Sequence, residues 1–329
     1  MAELVDAAEC DLVATTLRQL AEQYDGLQLL AALDDFGFAD VLAAQPHAAV
    51  SALFDALGRS CGTSAAIHDV LMQPLNRLLP ATGARYCVFL PAIGEPLAGR
   101  VESTTGTLRG LAVDYRPDAE LLAPVLLDRE IAWAHVHDSV QFSTRPIKGL
   151  DPTLQLKQVS AEGVPVTVLS AGPEARSLWN AVATAGRRAL AYQITGAVGQ
   201  MIDLAVAHAR DRTQFGRPIG AFQAVRNRLA DAYVAHEAAA AALESAWTAD
   251  DEYLAGMLAK SLAGRAARIA GTHCQQVLAG VGFTAEHPFH RFLARALVLD
   301  SLLGSAAELR RTIGAYVAAL GAIPRLVEL

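Results

Sequence analysis

The spacing of apolar residues changes twice along the chain, from a helical repeat to a strand-like one and back, and these changes divide it into three zones. In residues 1–82 they recur every three or four positions, as at Leu29, Leu30 and Leu33, and glycine and proline interrupt the pattern. This spacing gathers apolar side chains on one face of a helix. We therefore predict a short helical N-terminal domain over residues 1–82.

The pattern changes between residues 83 and 170, where short β-rich runs alternate with turn residues. The clearest runs are Tyr86–Leu90, Ile131–Val136, Leu154–Val159 and Val164–Leu169. Glycine and proline separate them at a spacing typical of strands. We predict a small antiparallel barrel or sheet here, as a middle β-barrel domain over residues 83–170.

A helical repeat returns from residue 171 to the end of the chain. Leu190, Ile194, Val198 and Met201 recur with helical spacing. Several of these helices are apolar over a wide arc, which is typical of a bundle in which each helix has several neighbours. Residues 171–329 are predicted to form a C-terminal four-helix bundle.

Composition restricts the function classes. The chain has 329 residues, 53% of them hydrophobic, and a net charge of −7 with no Lys/Arg-rich block. The size and apolar content predict a folded protein with a large core, and the charge argues against a nucleic-acid-binding face.

Targeting, redox and metal signals point to a cytoplasmic protein without a metal site. The first residues are acidic instead of basic, and no apolar stretch approaches the ~20 residues that span a bilayer. The four cysteines are widely spaced with no CxxC pair, so we expect reduced thiols. His273, His287 and His290 lack metal-ligand spacing.

The most informative motif lies at Asp211–Ile219, which reads DRTQFGRPI and is followed by Gln223 and by Leu229–Asp231. It resembles the RxQFGxP signature of acyl-CoA dehydrogenases, and the helix–β–helix zoning resembles that family too. A guanidinium at Arg212 can pair with a pyrophosphate. The alternative is that Arg212 is only a cation at a helix C-terminus.

A second motif, Gln276–Phe283, resembles the family's QxxGGxG stretch, with Ala279 in place of the first glycine. In the family both motifs reach across a subunit interface to the ADP part of the neighbour's FAD. The resemblance therefore implies six cofactor-binding residues: Arg212, Gln214, Phe215, Gln223, Gln276 and Gly280.

The family's catalytic base is missing. Most members carry the base as a Glu in a YEGT segment, where this chain has Leu303. A minority carry it on the helix before the first motif, about 26 residues before the motif's Arg. Counting back from Arg212, that position is Gly186 in this chain. Neither residue can accept a proton. Glu286 is the remaining candidate, and we predict that it caps the following helix instead. No catalytic residue is expected.

The segment with which a family member binds flavin in its own chain, here called the flavin cradle, is also altered. The family's TEPxAGSD appears at Gly94–Val101 as GEPLAGRV, so the hydroxyl groups are lost and Arg100 is bulkier than serine. The strand that normally touches the flavin ring is not recognisable between Leu108 and Val125.

The chain keeps the two motifs that reach the neighbour's FAD but has lost the base and its own flavin cradle. In this it resembles the small subunit of actinobacterial α2β2 acyl-CoA dehydrogenases that act on steroid side chains. It implies an FAD shared with a homologous catalytic subunit, which binds most of the acyl-CoA, and an electron-transfer flavoprotein or similar acceptor. Two alternatives remain: a self-sufficient homomeric dehydrogenase with a relocated base, and a purely structural scaffold subunit.

Overall fold

A computed structural model describes residues 7–79, 84–115, 119–136 and 142–321. Helices form the N-terminal zone, as predicted: α1 (Ala7–Gln23), α2 (Gly26–Phe36), α3 (Phe38–Ala44), α4 (Pro46–Ser60) and α5 (Ala66–Met72), followed by a 3-10 stretch at Gln73–Leu78. Local signals set their ends. Asp25 accepts a hydrogen bond from the first N–H of α2, and Gly37 ends that helix at φ 77°.

Among the described residues, nine strands form one sheet in the middle zone. They are β1 (Tyr86–Val88), β2 (Leu90–Pro91), β3 (Gly99–Glu102), β4 (Thr105–Val113), β5 (Glu120–Leu127), β6 (Glu130–Val136), β7 (Ser143–Pro146), β8 (Leu156–Pro165) and β9 (Thr167–Ala171). The strand order is β7-β8-β4-β3-β5-β6-β9, with β1 on β5 and β2 on β4. Alternate residues such as Leu108, Leu121 and Val159 fill its core.

Two details differ from the predicted antiparallel pairing. The sheet is mixed, because β5 pairs in parallel with both β1 and β3. The run Val164–Leu169 is divided, since β8 ends at Pro165 and β9 begins at Thr167 on a different neighbour. Proline has no N–H for a continuing ladder, which is consistent with a strand end at this point.

Helices return after the sheet, in agreement with the predicted helical C-terminal region. They are α6 (Pro173–Asp211), α7 (Gln223–Ser245), α8 (Glu252–Leu278), α9 (Phe289–Ser301) and α10 (Ala306–Leu320). A hairpin of two short strands, β10 (Thr213–Gln214) and β11 (Arg217–Pro218), lies between α6 and α7. Over the described residues, none of the helices combines the length and hydropathy needed to cross a bilayer.

The chain forms two compact units whose segments alternate along the sequence. Over the residues that the structure describes, one comprises the chain up to Gln23, Gln45–Gly62 and the chain from Arg187 onward, and the other comprises Tyr24–Ala44 and the described part of Thr63–Gly186. The predicted domains 1–82, 83–170 and 171–329 remain a prediction about how the chain is organised.

Glycines bring α4 and α6 close together inside the first unit. A Cβ added at Gly58 would lie 2.1 Å from the carbonyl oxygen of Gln193, and one added at Gly196 would lie 2.3 Å from that of Asp55. Helix backbones can approach this closely only where no side chain intervenes. This contact explains why α4, an N-terminal helix, belongs to the same unit as the C-terminal bundle.

Candidate functional site

The first predicted motif forms a tight hairpin after α6. Thr213 pairs with Pro218 and Gln214 with Arg217, and the two turn residues, Phe215 and Gly216, have φ values of 52° and 76°. Positive φ at both turn positions is the type I′ pattern, whose twist matches that of paired strands. Glycine suits this conformation, whereas phenylalanine adopts it at a cost.

The hairpin presents its predicted contact residues to the outside of the chain. Arg212 and Gln214 are exposed, and Phe215 is 92% exposed. The ring of Phe215 meets that of Phe222 edge-on at 6.1 Å, and the Arg217 guanidinium lies 4.3 Å from the Phe222 ring centre. An aromatic ring this exposed at a turn is available to a ligand or a partner.

The second motif lies at the same end of a helix pair as the start of α7. α7 and α8 pack together, and Arg228 Nη1 lies 3.4 Å from His273 Nδ1. Residues 246–251 link the helices, so they run in opposite directions. Gln223, at the start of α7, and Gln276, near the end of α8, therefore lie at one end of the pair, and both are exposed.

Electrostatics link the two motifs. Burial lowers the pKa of His208, near the end of α6, and the charges of His287 and Arg212 lower it further, while Asp211 opposes them. The charges of His287, in the loop after α8, and of Arg212, beside the hairpin, can both shift the pKa of His208 only if that loop lies near the hairpin. The structure thus brings together segments that are about 75 residues apart in sequence, counting from Arg212 to His287.

The loop after α8 leaves open space around its glycine. Gly280 is exposed, and a Cβ added there would meet no atom within 4 Å. Phe283, in the same 3-10 turn, is 79% exposed. Sequence reasoning had not included Phe283 among the contact residues, although the motif ends on it. Each of the two motifs therefore exposes one phenylalanine, Phe215 in the first and Phe283 in the second.

Ala279 occupies a backbone conformation suited to glycine. It follows α8 with φ 52° and ψ −133°, where an L side chain is strained by roughly 1–3 kcal/mol. We expect Ala279→Gly to raise the free energy of unfolding by about 1 kcal/mol, because relief of strain exceeds the added entropy of the unfolded chain. Urea denaturation measures the change. The control Ala238→Gly, on the exposed face of α7, should lower stability by about 1 kcal/mol. A loss at both positions would contradict the strain.

Neither predicted base position carries a titratable group. Leu303 is half-buried with φ 55°, and its carbonyl oxygen accepts a hydrogen bond of 3.1 Å from Arg187 Nε. Gly186 is buried within α6. Ser305, just after Leu303, caps α10 in a capping box with Glu308. This segment is therefore fixed by its backbone and offers no proton acceptor at residue 303.

The predicted capping role of Glu286 is wrong. Pro288 occupies the N-cap of α9, and no acidic residue lies in that helix's first turn. The N–H of Phe289 instead donates to His287 Nδ1 at 3.3 Å. Glu286 is left exposed before this N-cap.

Sequence reasoning missed a buried charged cluster beside Leu303. Lys260 is fully buried, and its Nζ donates to the carbonyl oxygens of Asp300 at 3.0 Å and Gly304 at 3.4 Å. The Asp300 carboxylate lies 3.9 Å from that Nζ and 3.2 Å from Arg268 Nη2. A signal was present: Gly264, one turn after Lys260, leaves room for Asp300, whose Oδ1 would lie 2.0 Å from a Cβ there.

Burial of Lys260 makes stability depend on pH above neutrality. Burial lowers its pKa to about 8 from the usual 10.5 of a lysine, although Asp300 opposes the shift. Between these values the unfolded chain holds a proton that the folded chain has lost, so stability rises with pH. Compared with Lys260→Met, the wild-type protein should gain up to about 3 kcal/mol between pH 8 and 10.5. Urea titrations at several pH values measure the difference, and a constant or falling difference would contradict the shift.

Comparison with known proteins places these features in context. The family described as "Acyl-CoA dehydrogenase, C-terminal domain" matches residues 179–318. The chain is 30% identical to acyl-CoA dehydrogenase FadE34 of Mycobacterium tuberculosis over 264 residues, which cover 78% of this chain and 36% of FadE34. It is 32% identical to acyl-CoA dehydrogenase IpdE2 of the same organism over 177 residues, covering 54% of this chain and 52% of IpdE2. The chain thus spans from about a third to a half of the length of these relatives.

Solved structures share the fold. The ChsE4-ChsE5 complex from Mycobacterium tuberculosis contains a chain with a TM-score of 0.78 and 21% identity, over 95% of this chain and 98% of that one. A variant of the Tcur3481-Tcur3483 steroid ACAD gives a TM-score of 0.78 at 20% identity, over 95% and 99% of the two chains. At these identities the likeness concerns the fold.

Proposed function

Because this chain belongs to the acyl-CoA dehydrogenase family, we propose that it is a subunit of a heteromeric FAD-dependent acyl-CoA dehydrogenase. In this proposal it completes the partner's flavin site and supplies no catalytic base. One observation carries the proposal: all six predicted cofactor contacts are exposed on the single chain. Residues that bound a cofactor within their own chain would instead line an internal pocket.

The chemistry of the exposed residues suits the ADP side of FAD. Arg212 offers a guanidinium to a pyrophosphate, and Gln214 and Gln276 offer amides to ribose or adenine edges. The open space around Gly216 and Gly280 admits a close approach of a cofactor to the backbone. These residues fit a binding role, in which they hold and orient the cofactor without touching the acyl chain.

Because this chain lacks the catalytic base, the partner subunit has to supply it. When bound, FAD would supply the acceptor for the hydride that leaves the β-carbon of an acyl-CoA, and a carboxylate would be needed to remove the α-proton. Leu303 and Gly186 cannot take that proton, so the partner supplies the carboxylate in this proposal. Arg187 and Lys260 donate hydrogen bonds to the carbonyl oxygens of Leu303 and Gly304. These bonds hold the backbone of the segment in place, although the segment offers no proton acceptor at residue 303.

Assembly and substrate are parts of the same proposal. We propose an α2β2 arrangement with a homologous catalytic subunit that binds most of the acyl-CoA. Support comes from the shared fold with a chain of the ChsE4-ChsE5 complex. A structure described as a steroid ACAD supports a steroid side-chain CoA thioester as the substrate. Electrons would leave the complex to an electron-transfer flavoprotein or a similar acceptor.

Expression of the chain with and without a homologous catalytic partner tests the proposal. Purified alone, it should carry no tightly bound FAD; purified with the partner, the two should co-elute with FAD, as measured by absorbance at flavin wavelengths and by light scattering. Stoichiometric FAD in the chain alone would favour the self-sufficient homomeric enzyme. A monomer that stays separate from every homologous partner would contradict the assembly.

A further inference from the structure

A cleft of about 250 Å³ lies among helices α1, α4, α6 and α7, all within the compact unit that includes the C-terminal helices. Pockets for drug-sized ligands occupy about 300–1,000 Å³, so this cleft suits a smaller molecule. Arg18, from α1, is exposed, and water therefore solvates its charge. The other polar groups of the lining decide which molecule the cleft would accept.

The cleft lies apart from the positions that resemble the family's cofactor and catalytic sites. Its lining contains none of the six predicted cofactor contacts and does not include Leu303. Thr195, which lines it, follows Gly186 by nine residues on α6. At about 3.6 residues per turn, nine residues make two and a half turns. Thr195 and Gly186 therefore face opposite sides of the helix.

Helical spacing determines which side chains line the cleft. From α4 come Ser51, Asp55 and Arg59, which recur every four residues, and from α7 come His236 and Ala240, again four residues apart. Residues at this spacing share one face of a helix. Each of these two helices therefore presents a continuous stripe to the cleft, and both stripes begin with a polar residue.

The charged groups on α4 and α7 already have partners. Arg59 Nε lies 3.0 Å from Asp55 Oδ2, and Arg59 Nη1 lies 3.6 Å from Asp203 Oδ2. At the other end of the α7 stripe, Glu244 Oε2 lies 3.1 Å from His47 Nε2. A charged ligand would have to compete with these contacts and lose its own hydration. The cleft therefore favours a ligand without charge.

Two polar atoms of the lining lack a hydrogen-bond partner among the residues that the structure describes. They are Thr195 Oγ1 and His236 Nδ1, and both atoms are buried. Thr195 is only 4% exposed, although a threonine hydroxyl inside a helix commonly bonds a carbonyl of the preceding turn. Burial lowers the pKa of His236, with the charge of Glu237 opposing the shift, so its ring is neutral at pH 7. A buried polar atom without a partner costs free energy that a ligand could recover.

Hydroxyl groups suit both unbonded atoms. A hydroxyl can donate and accept, so it can bond the Thr195 hydroxyl and either tautomer of the His236 ring. Leu243 is fully buried and Ala240 is half-buried in the same lining, so part of the ligand would contact carbon atoms. A compact carbon skeleton with several hydroxyl groups meets all of these conditions.

We propose that this cleft binds a small uncharged polyol, such as a monosaccharide or a cyclitol, with one hydroxyl on Thr195 and another on His236. The site goes beyond the proposed function and does not depend on it, because the two share no residue.

Saturation-transfer NMR and calorimetric titration of the full chain with D-glucose and myo-inositol test the site. At least one of the two should bind with a millimolar Kd. Thr195→Val removes the hydroxyl and nearly keeps the shape, and His236→Leu removes the ring nitrogen. Each should weaken binding about two- to tenfold, which is the expected loss for one neutral hydrogen bond.

The matched control is Thr272→Val on α8, which removes an exposed hydroxyl that donates to the carbonyl oxygen of Arg268 at 2.9 Å, outside the cleft. It should leave affinity within about twofold. In the free chain, Thr195→Val should leave the Tm unchanged or raise it, because the hydroxyl that it removes has no partner.

Three results would overturn the proposal. One is no binding of either polyol by the wild-type chain at tens of millimolar. Another is an equal loss of affinity in Thr195→Val and Thr272→Val, with folding of both confirmed by circular dichroism. The third is tighter binding of D-glucose 6-phosphate than of D-glucose, which would show that the cleft selects a charged ligand.

Discussion

Replacing the catalytic carboxylate of the partner subunit should abolish turnover of the assembled dehydrogenase, whereas Glu286→Gln in this chain should change it by less than about tenfold. Removal of a general base costs about 10²–10⁴ in rate. Glu286 is exposed and precedes the N-cap of α9 without capping it. Steady-state turnover of the purified complex, with FAD content measured in each sample, provides the comparison.

The control for this experiment is Glu162→Gln, which neutralises an exposed carboxylate on β8. It should leave turnover within about twofold. A fall of about a hundredfold in Glu286→Gln alone, with FAD and assembly intact, would make this chain the catalyst. The proposal of a subunit without a base would then be wrong.

Arg212→Ala should weaken FAD retention by the complex about ten- to a hundredfold. One charge-assisted contact contributes roughly 1.5–3 kcal/mol, which corresponds to that range. Arg212 is exposed on the single chain and follows α6 directly, so its loss should not disturb the core. Dialysis followed by flavin absorbance, or fluorescence titration of the apo-complex with FAD, gives the affinity.

Two further variants sharpen this test. Arg210→Ala removes an arginine of similar exposure two residues earlier and should leave FAD affinity within about twofold. Arg212→Lys keeps the charge but loses the two-pronged geometry, so an intermediate loss is expected. Unchanged affinity in Arg212→Ala would show that the motif is structural and would favour the scaffold alternative.

Much of the fold could be predicted from the sequence, because its signals are local. The change from helical to strand periodicity and back matches the observed elements, which switch to strands at Tyr86 and return to helix at Pro173. β4 (Thr105–Val113) was harder to recognise. Gly106 and Gly110 interrupt its alternation, and both allow close contacts that a side chain would block. Pairing direction was also beyond local reasoning, since β1 and β3 join β5 in parallel.

The candidate site could likewise be predicted only where its signals are local. Motif spacing identified Arg212 and Gln276, but their shared location depends on the packing of α7 against α8. The buried Lys260–Asp300 pair could not be found from charge alone, because lysine in a helix is usually solvent-exposed. Glu286 was assigned to a cap from its position before Pro288, whereas His287 provides the hydrogen bond.

Flavin stoichiometry tests the central proposal most directly. If this chain donates half of one site and has lost its own, the complex with its homologous partner should hold one FAD per heterodimer. Native mass spectrometry of the complex, together with flavin absorbance against protein concentration, counts the cofactors. Two FAD per heterodimer would contradict the proposal, because the second would require a working cradle in this chain.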